Sequence, residues 1–143
     1  MQFSLAASQR ANVPASYPCP FRLGYTQRSA NEARRVGGDI VCVNYAADGS
    51  ALIAVVDLAA KTDAAERQAE VVREAFSAGA DRGYGPKLIM SSLNAALLAH
   101  GDVYRAWLTF GTAFVAKYHA DGGIVYAAAG AEPAILFRGL RAH

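Results

Sequence analysis

The amino-acid sequence predicts an α+β fold with helices packed on one face of an antiparallel sheet. Three observations predict it. Two pairs of strand-like segments are each joined by an Asp-Gly dipeptide, at Asp48-Gly49 and at Asp121-Gly122. Between the pairs, apolar residues recur at helical rather than strand spacing. The 143 residues are 53% hydrophobic and 18% charged, enough to bury one core without disulfides.

The elements follow in order. Residues 1–20 carry Pro14, Pro18 and Pro20 among small polar residues and predict a loose N-terminal arm ahead of one domain over 21–143. Phe21 to Gln27 predicts a first strand. Asp39 to Ala46 (DIVCVNYA) and Ala51 to Asp57 (ALIAVVD) are rich in β-branched residues and predict two more. Asp48-Gly49 between them predicts a tight hairpin turn with positive φ at both central positions.

The period then changes. Ala65, Ala69, Val72 and Phe76 form a helical stripe, with Glu66, Arg67, Glu70, Arg73 and Glu74 off it. Asp63 and Glu66 predict a capping box, and Gly79 a stop. Pro86 predicts the first turn of a second helix reaching about Ala99. Ile89, Leu93, Ala96 and Leu97 form its inner face, and Gly101 ends it. Arg105 to His119 reads as a strand buried on both faces. Asp121-Gly122 turns it into Ile124 to Ala129, and Ala134 to Arg138 predicts a last short strand.

Several function classes are excluded. Fourteen basic and twelve acidic residues give a net charge of +2, no footprint for nucleic acid. Arg10, Arg22, Arg28, Arg34 and Arg35 precede Gly37 with only Glu32 against them; a solvated basic face explains them better than an anion-binding patch. Cys19 and Cys42 lack CxxC spacing, which argues against zinc and against a disulfide scaffold, and Cys42 reads as a small buried hydrophobe. No apolar run is long enough for a membrane span, and Met1 to Ala11 is too short for a secretory signal, so a cytoplasmic location is expected. GxSxG, HExxH and phosphate-loop motifs are absent. His100, His119 and His143 are scattered and read as surface residues.

The acids divide into two groups. Asp48 and Asp121 precede glycine in turns, and Asp63 is a cap. Asp39 and Asp57 have no such explanation, and aspartate is poorly suited to strands. If their strands pair through the Asp48-Gly49 turn, the two carboxylates meet at the outer end. Carboxylates held close repel each other and favour a hard divalent cation between them. Gly37-Gly38 would let the backbone approach that ion. The alternative is two strand-end acids in solvent.

These residues also carry a family likeness. Gly37-Gly38-Asp39 resembles the GGD that opens the catalytic part of PPM-type, metal-dependent protein serine/threonine phosphatases of the bacterial stage II sporulation protein E branch. Val56-Asp57-Leu58-Ala59-Ala60-Lys61-Thr62 is similar to that branch's G-D-V-S-G-K-G segment. Leu93-Asn94, Thr112 to Ala116, the Asp121-Gly122 turn and Ile124-Val125-Tyr126 follow in the family's order. Ala129-Gly130-Ala131-Glu132-Pro133-Ala134-Ile135-Leu136 resembles its A-G-H-x-P-x-x-L turn. The likeness runs from Gly37 to Arg138.

The resemblance implies an antiparallel β-sandwich flanked by helices, with two Mn²⁺ or Mg²⁺ ions at one end. It implies hydrolysis of phosphoserine or phosphothreonine by metal-activated water. Asp39 and Asp57 would be metal ligands, the Leu58 backbone carbonyl a third oxygen, and Arg35, with Arg34 beside it, a phosphate contact. Three departures qualify this. Ala59-Ala60-Lys61-Thr62 replaces S-G-K-G, Ala131 replaces the histidine, and the family's later T-D-G and D-D segments have no counterpart before His143. The expectation is a domain incomplete or degenerate at its C-terminus, with weak metal binding and slow or no turnover. Its partner would be a phosphoprotein substrate in a bacterial sigma-factor, stress or sporulation pathway, or a regulatory protein bound without hydrolysis. Open sheet edges also predict self-association. The remaining reading is a plain structural domain.

Overall fold

A computed structural model describes residues 24, 38–59, 64–104, 111–135, 137–138 and 141–142. The expected N-terminal arm lies outside the described residues, as do the Asp63 cap, Cys19, His143, Arg34 and Arg35; of the expected strand at Phe21 to Gln27 only Gly24 is described, and it is not in a strand.

The order is β1 (Asp39–Tyr45), β2 (Ala51–Leu58), α1 (Ala64–Asp81), α2 (Pro86–Tyr104), β3 (Gly111–Tyr118), β4 (Ile124–Ala129), β5 (Phe137–Arg138) and β6 (Arg141–Ala142). Strands β1 to β4 form one antiparallel sheet in sequence order, and β5 and β6 form a separate two-stranded one. This is the α+β class predicted, with both helices on one face of the sheet.

Strand alternation decides that face. Ile40, Cys42, Leu52, Ala54, Val56, Leu58 and Val115 point towards the helices and are buried. Against them pack Ala69, Val72 and Phe76 of α1 and Ile89 and Leu93 of α2. Val72, Ile89 and Val115 are fully enclosed, and burying such a side chain contributes about 1.5–3 kcal/mol. Burial also pushes the Cys42 thiol up to about 11, with Arg73 pulling weakly the other way. Among the described residues no helix is long and apolar enough to cross a membrane.

Four local expectations are corrected. The Asp48-Gly49 hairpin is not a two-residue turn. Ala46 N–H donates to the Ser50 carbonyl and Gly49 N–H to the Ala46 carbonyl, so the loop is Ala47-Asp48-Gly49, with positive φ (77°) at Gly49. The Asp48 carboxylate accepts from the Ser50 hydroxyl and amide, which holds its pKa below the usual value. The second hairpin repeats the design at Ala120-Asp121-Gly122, with Gly122 at φ 88°. Here Asp121 accepts from Gly123 N–H at 2.8 Å.

Gly79 does not stop α1. The helix ends two residues later, and Gly83 (φ 70°) supplies the left-handed residue. Tyr84 N–H reaches the Gly79 carbonyl and Gly83 N–H the Ala80 carbonyl, the paired bonds of a Schellman cap. Gly79 serves packing instead: a Cβ there would stand 2.5 Å from Ile89 Cδ1, so its absence lets α2 close on α1. Gly101 likewise lies inside α2, which runs to Tyr104. One helical glycine costs about 1 kcal/mol against alanine, too little to end a helix. Finally, Ala134 and Ile135 are not in a strand; the short strand is Phe137–Arg138, paired with β6. Of the Arg105 to His119 segment, Gly111–Tyr118 is strand and 105–110 lies outside the described residues.

Candidate metal centre

The three-residue loop sets the pairing of β1 with β2, and that pairing puts Asp39 directly opposite Asp57. Hydrogen bonds at Ala46–Ser50 and at Gly38–Leu58 mark the even-numbered pairs as the bonded ones. Asp39–Asp57 is therefore a non-bonded pair, in which Cα atoms approach to about 4.5 Å and side chains project from the same face. Both side chains are exposed, on the face turned away from the helices. The expected juxtaposition is present.

Leu58, one residue on, points its side chain into the core and leaves its carbonyl at the same corner. Gly38 borders that corner. A Cβ on Gly38 would fall inside contact distance of the Leu58 carbonyl oxygen and 3.3 Å from Asp57 Oδ1. Two oxygens thus converge on space that any other residue at position 38 would fill. On the far side, Gly111 packs as closely on the Asp57 carbonyl, and a Cβ there would stand 2.9 Å from Leu58 Cδ2. The Asp57–Leu58 peptide is held between two glycines.

This donor set is all oxygen: two carboxylates and a carbonyl. It suits a hard cation such as Mg²⁺ or Mn²⁺ rather than zinc or copper. Among the described residues no group of three or more His, Cys, Asp or Glu side chains could hold a metal. Two carboxylates and one carbonyl would leave about half or more of a hard cation's roughly six-oxygen shell to water. His119 sits beside the Asp121 hairpin, at the opposite end of the sheet, and His100 near the end of α2.

Sequence reasoning placed Thr112 in the family likeness but gave it no role at the site. The β2–β3 pairing sets it opposite Asp57, so Asp39, Asp57 and Thr112 form a row across three strands. Only the start of β3 could have revealed this, and the apolar run from Arg105 does not mark it. A cleft of about 460 Å³ lies beyond the row, lined by Leu58, Met90, Leu93, Asn94, Leu97 and Thr112 among others. It has no titratable lining and opens on the helix side of the sheet, so it is not where the carboxylates meet.

The stage II sporulation protein E (SpoIIE) family model matches residues 47–142. The match takes in Asp57, Leu58 and Thr112 and begins eight residues after Asp39. No curated protein and no solved structure matches the chain. With two-thirds of its length on that one model, and the order of hairpin, helix pair and hairpin in place, the chain belongs to the stage II sporulation protein E family, a PPM-type phosphatase family.

Proposed function

We propose that this chain is a metal-dependent protein serine/threonine phosphatase-like domain that acts on a phosphoprotein of a bacterial regulatory pathway of the sigma-factor, stress or sporulation type. The observation that carries the reading is the facing of Asp39 and Asp57 beside the Gly38 corner. Asp39, Asp57 and the Leu58 carbonyl would hold Mn²⁺ or Mg²⁺. The bound ion would supply a water of lowered pKa and neutralise phosphoryl charge. The two carboxylates bind and orient it, and Gly38 keeps the corner open. Arg35, a few residues before Asp39, is the proposed phosphate contact. With three protein oxygens out of about six, binding is weak and turnover slow or absent. A cytoplasmic location belongs to the same reading.

A second reading, a partner-binding module without hydrolysis, is favoured by Ala59-Ala60 and Ala131 standing where the family carries glycine and histidine. One experiment tests both. Mn²⁺ binding and phosphoprotein hydrolysis are measured for the wild type and for Asp57→Asn. Hydrolysis lost on substitution selects the enzyme. Mn²⁺-dependent phosphoprotein binding without turnover selects the module. No Mn²⁺ binding by the wild type sinks the metal reading.

A further inference from the structure

We propose that strand β4 is the seam of a symmetric dimer, in which the β4 edges of two copies of this chain pair antiparallel about a twofold axis at Tyr126. The inference does not depend on the metal-site reading. It starts from the margin of the sheet. β4 ends the order β1-β2-β3-β4, and among the described residues no strand pairs with its outer side. Its sequence, IVYAAA, has no charge and no proline, and its pairing with β3 runs without a bulge. Those are the devices that keep sheet edges apart. Ile124, Val125 and Tyr126 are exposed there, Tyr126 at 61%. The other margin, β1, starts with Asp39 and is otherwise buried or half-buried.

Hydrogen-bonding parity decides the register. His119 N–H donates to the Gly123 carbonyl, so Lys117–Val125 and Val115–Ala127 are the bonded pairs of β3 and β4. The N–H and C=O groups of Ile124, Tyr126 and Ala128 therefore point out of the sheet edge. A second copy offers the same three residues. With the axis at Tyr126, each Tyr126 faces the other, and each Ile124 faces Ala128 of the second copy. All three outward residues are then in bonded pairs, with two hydrogen bonds in each pair. Sliding the copies by two residues either way loses one of those pairs.

The side chains agree with that register. Opposed positions set a large residue against a small one on both faces: Ile124 against Ala128, and Val125 against Ala127. Within one copy Tyr126 stacks on Phe114, ring centroids 5.6 Å apart. The axis would join the two stacks into one aromatic row, and aromatic cross-strand pairs stabilise a sheet. With no charge on the strand, nothing repels a copy of itself, and nothing offers a charged partner a counterpart.

The seam is small. Six residues span about 20 Å in a strip one strand wide, well below the about 800 Å² per partner of a standard interface. The dimer is therefore weak and forms with concentration. Two four-stranded sheets run on as one, and the two Asp39–Asp57 corners lie at opposite ends, clear of the seam.

Disulfide trapping reads the register directly. In the proposed pairing Val125 and Ala127 of opposite copies are a non-bonded pair, with Cα atoms about 4.5 Å apart and within disulfide reach. Two copies of position 125, or two of position 127, are diagonal neighbours about 7–8 Å apart and out of reach. Val125→Cys and Ala127→Cys are each made in the full chain carrying Cys19→Ser; Cys42 is buried and stays unreactive. The variants are oxidised separately and as a mixture, at equal total concentration over a dilution series. The expected result is disulfide-linked dimer formed at least about fivefold faster in the mixture than in either variant alone, and faster as concentration rises. Equal rates in all three samples, faster trapping in one variant alone, or no trapping in the mixture at millimolar concentration would overturn the pairing.

Discussion

Substituting Gly38 by alanine tests the corner at which the Leu58 carbonyl and Asp57 meet. The added carbon would sit under 3.0 Å from a backbone oxygen, closer than real Cβ atoms come. The oxygen belongs to a strand held by Gly111 on its other side, so it cannot retreat. The start of β1 must move instead, and that breaks the 3.0 Å bond from Leu58 N–H to the Gly38 carbonyl. Losing such a bond costs about 0.5–1.5 kcal/mol, and displacement of the strand end adds a comparable amount. Reduced freedom of the unfolded chain returns about 0.4–1 kcal/mol. The net loss is about 1–2 kcal/mol, a fall in Tm of about 3–8 °C for a domain of this size. Because Asp39 is the next residue, Mn²⁺ affinity should fall by at least about tenfold, more than the stability loss alone implies. Thermal unfolding and Mn²⁺ titration of the one variant measure both. A Tm and an affinity equal to the wild type would show that the corner is not closed and that the reasoning fails.

Three further outcomes are expected. Asp57→Asn should raise Tm without metal, since it removes a like-charge repulsion of at most about 1 kcal/mol, and, on the proposed assignment, should abolish any rise that Mn²⁺ brings in the wild type; a metal-induced rise of wild-type size would refute the assignment. Cys42 titrates at 9.0 unfolded and about 11 folded, so its contribution is full below pH 9 and lost as pH climbs towards 11, by about 1.4 kcal/mol per unit. Urea midpoints from pH 8 to 10.5 should fall more steeply for the wild type than for Cys42→Ala, and equal slopes would contradict a protected thiol. Among the described residues strand β4 is an edge, with Ile124, Val125 and Tyr126 exposed and no charge along it, so we expect self-association that Val125→Lys suppresses. Sedimentation velocity checks this, and a monomeric wild type at high concentration would remove the premise.

The sheet and its helices were legible because their signals are periodic. A helical stripe such as Ala65-Ala69-Val72-Phe76 survives errors of a residue or two. Glycines were harder to read, because one residue type serves several purposes. Gly79 looks like a stop and is a packing gap, while Gly83 is the stop. Only the φ angle and the neighbouring helix separate the two. The carboxylate pair shows how narrow the margin is. A two-residue Asp48-Gly49 turn would have paired Asp39 with Leu58 and turned Asp57 to the other face, since one step of register inverts every side chain. Ala47 joins the loop, and the odd count brings both aspartates to one side. Thr112 was legible only as part of the family likeness: its place opposite Asp57 depends on where β3 begins against β2, a tertiary matter.

Both Ala-Asp-Gly loops close the sheet at the same end, and the carboxylates lie at the other. At that far end none of β1 to β4 is tied to its neighbour by a hairpin, so opening can start there without undoing either turn. Amide hydrogens near Asp39, Asp57 and Thr112 should then exchange faster than those beside Ser50 and Gly123, by sub-global rather than global unfolding. A cation bound only to the closed form would slow that exchange in proportion to its occupancy. The metal would act as the clasp that two hairpins already provide at the opposite end, and its apparent affinity would carry the cost of closing the strands.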